Sequence, residues 1–543
     1  MTPPIDSDSR STLAVIAVFA LAVLAYLPAL WSGFVWDDHY QITDNVLLRT
    51  VSGLASIWTD PSAQLQYYPL ANSSYWLEYR LWGAAPLGYH AVNLVLNAAN
   101  AVLVYLLFAR LGMRAALFGA LVFALHPLQV ESVAWVSERR NLLSGLFYLA
   151  TLLAWLRHLD TRRAAPYVAA LASFALAMAS KTAVCTLPVA MLAWVWWRAG
   201  PTVRRDALRV VPFALVAAAG AALTISVEHA YYREPSAAAL GPLESLLVAS
   251  RAFCWYAQKL AVPLPLMAIY PRWEVNVGAL EAWLFPAAVV ALFGALFALR
   301  RRIGPVPLAG MLFFGLTLSP TLGFVSFGYM GYSFVADRFF YLASLGPIAI
   351  MSWGLGIGAA RLGTRGPAAL AAAAAFAALV LTPITWTRSR VFENDEVFWR
   401  DSLAKNPTAV GYSALGQVLF ERGEFPGAAD HFRRSLALSE NFIARGRLGV
   451  TYLAQGLPDE AYAELDLALT RLRSELHLPQ HEARLLFFLG SVFWEYGGVD
   501  WPRAIAYWEQ ARSVDPGLRE IDDWLERARD RQRAEHGADR PPS

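Results

Sequence analysis

The chain has 543 residues, of which 57% are hydrophobic and only 16% charged, and its mean hydropathy is +0.39, which is more apolar surface than a soluble core can bury. A formal net charge of +3 without a clustered basic face excludes a nucleic-acid partner. Two cysteines, Cys185 and Cys254, lie far apart in apolar surroundings and exclude a disulfide framework or a metal knuckle. The composition is that of a polytopic membrane protein.

Taken in order, apolar runs long enough to cross a bilayer fall near 12–31, 90–109, 115–130, 141–157, 164–181, 183–198, 210–228, 280–299, 305–320, 339–360 and 367–387. The first run is long for a cleaved signal peptide and is read as an uncleaved anchor. Basic residues fall in alternate connections: Arg110 and Arg114, then Arg157, Arg162 and Arg163, then Arg198, Arg204, Arg205 and Arg209. The triplet Arg300-Arg301-Arg302 and the pair Arg361 and Arg365 continue the alternation. Basic residues in short loops stay cytoplasmic, so about eleven spans with a cytoplasmic N-terminus place every dense basic loop inside and the C-terminus outside. The segment 244–266 is apolar but interrupted by Arg251, Lys259, Pro263 and Pro265, and is read as amphipathic or re-entrant at the outer surface.

The outer loops collect the residues that hydrocarbon excludes. The first, 32–89, opens with Asp37-Asp38-His39 and carries aromatic clusters that fit an interfacial belt. Later ones hold His126, Glu131, Glu138, Arg139 and Arg140, a tight turn at Lys181, and Asp337-Arg338.

After Trp386 the sequence becomes charged and helix-forming, and a repeat appears. Leu415-Gly416, Gly423, Ala428 and Phe432 recur as Leu448-Gly449, Gly456, Ala461 and Ala468, with the Leu-Gly pairs 33 residues apart. A third copy, Leu489-Gly490, Gly497, Ala504, Trp508 and Ala511, carries a short insertion between its helices. Small residues that let paired helices approach, large ones that fill the groove, and glycine at the turns are the signature of tetratricopeptide repeats. The expected fold is all-α: a membrane domain over 1–388, a repeat solenoid over 389–535 and a disordered tail over 536–543.

The short pieces Phe34-Val35-Trp36-Asp37-Asp38, Gly88-Tyr89-His90-Ala91-Val92-Asn93-Leu94, His126-Pro127, Glu131-Ser132-Val133-Ala134-Trp135-Val136-Ser137-Glu138-Arg139-Arg140, Ser180-Lys181 and Ala336-Asp337-Arg338 together resemble the polytopic glycosyltransferases of the C superfamily (GT-C). Within it they resemble most the transmembrane O-mannosyltransferases with tetratricopeptide repeats and their bacterial relatives. The resemblance implies an inverting transferase that takes a sugar from a polyprenyl-phosphate carrier and places it on an acceptor hydroxyl, at the outer face of a bacterial cytoplasmic (inner) membrane. The acceptor, a protein or a glycan, would be engaged by the repeats.

The residues suit that chemistry. A hydroxyl is a poor nucleophile and needs a carboxylate to take its proton; Asp37 is the first choice, and Asp38 orients it or contacts a metal or the acceptor. Alternatively, the two acids cap a helix starting near His39. The leaving phosphate needs cations, for which Arg338, Arg139, Arg140 and Lys181 are the candidates. His126 is a candidate for hydrogen-bonding donor or acceptor, Glu131 for holding an arginine in place, and Asp337 lies beside Arg338. Some members of the superfamily use a divalent ion, Mg or Mn, and others do not; Asp37 and Asp38 are the residues that would hold one. Two other readings stand beside this one: a non-catalytic membrane scaffold presenting its repeats to envelope partners, and a lipid-linked glycan ligase or polymerase.

Overall fold

In the computed structural model, which describes residues 9–64, 66–197, 203–231, 240–325, 327–475, 478–495 and 500–538, the described residues form helices and no strands, and the chain divides after Asn394 into two units.

In the first unit, five helices are long and apolar enough to cross a bilayer among the described residues: Pro86–Arg110, Val136–Thr161, Val203–Val227, Leu280–Ile303 and Gly363–Phe392. Two bent pairs, Ala116–Leu125 with Pro127–Ala134 and Asp337–Ala343 with Leu345–Arg361, would raise the number to 7. Four shorter apolar helices, Ser11–Ala25, Ala164–Ser180, Thr182–Val195 and Val306–Thr321, complete the set. Each predicted run therefore falls on one of these elements. The short helices explain why the sequence reading exceeds the structural number: at about 1.5 Å per residue they fall below the ~30 Å of hydrocarbon that a lone span must cross. Leu280–Ile303 buries none of its most apolar window, as expected of a helix that turns its side chains to lipid.

The first bend has a local cause, and the two bends meet. Pro127 lacks a backbone donor and disfavours helical backbone in the residue before it, so His126 lies extended at φ −69° and ψ 130° and the axis turns by 51°. The second pair turns by 53° around Ser344, whose hydroxyl accepts from Gln129 Nε2 at 3.1 Å. Each pair thus ends in a short helical piece, Val130–Ala134 and Asp337–Phe339, and these pieces carry Glu131 and Arg338.

The helix Arg139–Thr161 sets the two ends of the unit. Its 23 residues span roughly 34 Å. At its C-terminal end Asp160 pairs with Arg110, and Arg162 just beyond it pairs with Asp206, which also holds Arg209 at 3.3 Å. Three of the predicted inner loops are therefore tied together at one end, and the helix starts, with Arg139 and Arg140, at the other.

A buried row of Asn93, Asn97 and Asn100 lines one face of Pro86–Arg110 and ties that helix to its neighbours. Asn93 Nδ2 donates to Val133 O at 3.1 Å, Asn100 Nδ2 donates to Leu142 O and Tyr341 Oη at 2.9 Å each, and Tyr341 Oη donates to Asn97 Oδ1 at 3.1 Å. The segment expected to be amphipathic forms a helix, Pro242–Ala261, that is not among the candidate spans; its face of Ala249, Ala252, Phe253 and Tyr256 packs with Phe314 and Phe340.

The second unit is a row of helices, Asp395–Lys405, Ala409–Glu421, Phe425–Leu438, Phe442–Ala454, Pro458–Glu475, Pro479–Glu495, Trp501–Val514 and Glu520–Ala538, each packed on the next. The glycines that marked the repeat do the predicted work among the described residues, outside which Gly497 lies. Gly416 faces the ring of Phe432, Gly449 the side chain of Leu465, and Gly490 the indole of Trp508, each so closely that a Cβ would collide. Gly423 and Gly456 take positive φ, +78° and +75°, at the turns. The unit is a tetratricopeptide-like solenoid with its own core of Leu465, Leu469, Leu486, Leu489 and Trp508. The third copy's insertion lies mostly in 496–499, outside the described residues. Of the predicted tail, 536–538 continue the last helix, since propagation adds a hydrogen bond per residue fixed, and 539–543 lie outside the described residues.

Candidate functional site

The first loop presents Asp37 through a strained turn. Trp36 sits at φ +50°, a left-handed conformation that a bulky side chain resists by about 1–2 kcal/mol. Three contacts hold it there. The Trp36 indole stacks on that of Trp135, with ring centres 5.2 Å apart and planes 15° from parallel. Trp135 Nε1 donates to Val35 O at 3.1 Å. Asp38, fully buried, accepts from Val35 N at 3.1 Å and from Ser137 N at 2.7 Å and Ser137 Oγ.

The consequence is a division of labour between the adjacent acids. Asp38 is a clamp: it joins the first loop to the turn before Arg139–Thr161 and makes no side-chain cap on the helical turn that follows it. Burial pushes its carboxyl up to about 7, against the lowering effect of its Ser137 and Val35 donors. Asp37 is only partly buried, and among the described residues no hydrogen-bond or ion-pair partner reaches its carboxylate. Burial raises it as well, opposed by the fields of Arg140 and then Arg338.

Those two arginines belong to a cluster built around Glu138, whose carboxylate faces four side chains inside the fold. Its Oε1 accepts from Arg140 Nη2 at 2.7 Å and Nε at 3.1 Å, and lies 3.6 Å from Arg338 Nε. Its Oε2 accepts from Asn141 Nδ2 at 2.7 Å and lies 3.5 Å from Lys181 Nζ. Lys181 also donates to Asn141 Oδ1 at 2.6 Å. Glu131 accepts from the backbone N of Arg338 at 2.9 Å and pairs with its guanidinium, whose carbon stands 4.1 Å from the Tyr329 ring centre. Three cations around two carboxylates leave one positive charge, with Asp37 beside it.

The sequence candidates therefore part company. Asp37, Arg140, Lys181, Arg338 and Glu131 come together. Arg139 does not join them: wholly buried, it donates through Nε to Asn93 Oδ1 at 2.7 Å and through Nη2 to Tyr89 O at 2.7 Å, and it pairs with Glu78. Successive residues at the start of a helix point about 100° apart, which sends Arg139 into the loop's core and Arg140 into the cluster. Asp337 likewise turns from Arg338 and accepts from Tyr270 Oη at 2.7 Å. His126 is a brace at the bend, donating from Nε2 to Leu260 O at 3.0 Å and accepting at Nδ1 from Leu128 N at 3.3 Å. A two-acid ion site at Asp37 and Asp38 does not fit this arrangement, because three protein donors occupy Asp38; among the described residues no group of three or more His, Cys, Asp or Glu could hold a metal ion. Sequence reasoning passed over Glu138, Asn141, Gln66 and Tyr329. Glu138 carried a signal: three cations gathered away from water require an anion among them, and it directly precedes the arginine pair.

Fold and cluster together define a helical membrane protein whose first loop brings the Asp37 carboxylate within the field of a group of cations. Residues 69–232 match the family model described as Dolichyl-phosphate-mannose-protein mannosyltransferase. The chain is similar to Protein O-mannosyl-transferase Tmtc1 of Drosophila melanogaster, 37% identical over 157 residues, which cover 26% of this chain and 18% of that one. It is also similar to Protein O-mannosyl-transferase TMTC3 of Mus musculus, 32% identical over 161 residues covering 28% and 17%, and to Protein O-mannosyl-transferase TMTC4 of Homo sapiens, 29% identical over 167 residues covering 26% and 22%. The resemblance read from the motifs is thus found again across the segment that holds Glu131 to Lys181. The matches span about a fifth of the length of these relatives.

Proposed function

We propose that the chain is a membrane glycosyltransferase that moves a sugar from a polyprenyl-phosphate donor to an acceptor hydroxyl with inversion. The observation that carries the reading is Asp37, a partly buried carboxylate without a partner among the described residues, beside a cation cluster with surplus positive charge. The acceptor oxygen attacks the anomeric carbon on the face opposite the phosphate while Asp37 takes its proton. The bond from that carbon to the phosphate oxygen breaks, and its electron pair leaves with the phosphate. Arg140, Arg338 and Lys181 stabilise the charge that grows there. Of the five N–H groups of Arg140, Glu138 and Gln66 engage three, so donors remain for phosphate. An arriving phosphate also offsets the field that opposes proton uptake, which makes Asp37 more basic once the donor is bound.

The matched relatives, by their printed names, mannosylate proteins; a protein hydroxyl as acceptor, engaged by the solenoid, is the corresponding proposal here. The site is assigned to the outer face of a bacterial cytoplasmic membrane, because the basic loops gather at the other end of Arg139–Thr161. Mass spectrometry of envelope proteins and glycolipids from cells with wild-type chain or Asp37→Asn tests the reading. Loss of a defined glycan in the variant, at a rate lowered by about 10²–10⁴-fold, is expected. Identical glycosylation in both would sink it.

A further inference from the structure

Beside the cation cluster the first loop encloses a cavity of about 170 Å³ that the mechanism above does not use. Its lining sets the carboxamides of Gln41, Asn45, Gln64, Gln66 and Asn72 beside the apolar surfaces of Tyr40, Val46, Leu47 and Ala63, as a sugar ring with one polar edge and two apolar faces requires, and Asp44 is the one acidic side chain in it. Two of these amides are incomplete. Gln64 is buried, and its Oε1 accepts from Asn72, yet among the described residues its Nε2 has no partner. Gln66 accepts from Arg140 Nη1 through Oε1, and no partner for its Nε2 is found among the described residues. A buried amide donor left unpaired costs about 1–3 kcal/mol, so a site that keeps one beside an open cavity is built for something that fills it.

The chemistry of the filler follows. A phosphate or a uronic acid would want cations, and none lines the cavity. An apolar group would leave the amides unpaired. A sugar ring offers what the walls lack, hydroxyls that each accept and donate, and carboxamides answer both roles. The volume is about ten times that needed to hold one water, yet below the ~300–1,000 Å³ of sites for drug-sized ligands, which fits one ring. Gln66 joins the two sites, with its oxygen on Arg140 and, among the described residues, no partner on its nitrogen. We propose that this cavity is a neutral-monosaccharide subsite, in which Gln64 and Gln66 read ring hydroxyls while Arg140 holds the attached phosphate. The proposal deepens the transferase reading and rests on it.

Ligand-observed saturation-transfer NMR on the full chain in nanodiscs tests it, with methyl mannoside, methyl glucoside and methyl glucuronide as probes. A neutral glycoside should give a signal, the glucuronide at least fivefold less, and Gln66→Leu or Gln64→Leu should each remove most of it. Gln66 is partly exposed, so Gln66→Leu should keep the wild-type melting temperature; Gln66→Glu, which retains the shape and loses the donor, is the second variant. Asp37→Asn should bind the glycoside like wild type while losing transfer. A silent wild type, or a signal indifferent to both glutamine positions, overturns the subsite even if transfer is intact. Glycoside binding with unaltered glycosylation in Asp37→Asn would instead retain the subsite and remove the transferase reading.

Discussion

At the scale of residues, Asp37 and Asp38 differ in what surrounds them. Asp38 has its oxygens tied to Val35 and Ser137, so its charge shapes the loop; among the described residues, Asp37 has burial and the fields of its neighbours acting on it and no bonded partner. A base must be ionised to accept a proton, so transfer should fall as pH drops through the Asp37 value, which burial holds above that of an ordinary aspartate. Arg140 opposes that rise. Removing it in Arg140→Gln should move the acid limb of the pH–rate profile to higher pH, in addition to weakening the hold on phosphate. An unmoved limb would mean that Arg140 acts on the donor alone, or that another group is the base. Little of this partition was legible in the sequence. The pair itself stood out as charge just after an apolar run, but which member is free depends on the backbone of Trp36 and on a serine 99 positions away. The same holds for Arg139 and Arg140, identical in type and opposite in role because a helix begins between their environments.

At the scale of elements, the turn at Trp36 is held by its contacts against its own preference. In Trp36→Gly the left-handed backbone is relieved, by about 1–2 kcal/mol, while a stacked pair worth about 0.5–1.5 kcal/mol beyond its buried area is lost together with that burial. The losses outweigh the relief in part, so the melting temperature should fall modestly. Transfer should nonetheless fall by tenfold or more, because a glycine turn no longer aims Asp37. A melting temperature that collapses together with activity would show that the Trp36–Trp135 stack supports the fold and not the aim. Elements were more legible than sites wherever periodicity carries the information. The spacing of Gly416, Gly449 and Gly490 announced helix pairs, because only small residues admit the large side chains that face them. The bends at Pro127 and Ser344 were hidden inside apolar runs, since hydropathy records length and is silent about direction.

At the scale of the whole molecule, two ends are distinguishable. One gathers Arg110, Asp160, Arg162 and Asp206, the other the Glu138 cluster and the first loop. With Cys185 and Cys254 replaced by serine, a cysteine placed at the exposed Asp60 should react with a membrane-impermeant thiol reagent in intact cells. One placed at Arg301 should react only after the membrane is opened. The reverse pattern would invert the proposed sidedness, and reaction at both positions in intact cells would break the span arrangement.

The helix Arg139–Thr161 has a mechanical consequence. Asp38, the neighbour of Asp37, is fastened to Ser137 just ahead of it and Arg140 rides in its first turn, whereas Arg338 is fastened to Glu131 on a separate bent pair. Over a lever of roughly 34 Å, a tilt of about 10° displaces one end by about 6 Å, and spans do tilt to match the hydrocarbon around them. On the proposed transferase reading, bilayer thickness would then act on transfer. Reconstituted into a series of lipids of increasing acyl length, the chain should show an optimum, with transfer falling on both the thin and the thick side while the fold remains intact.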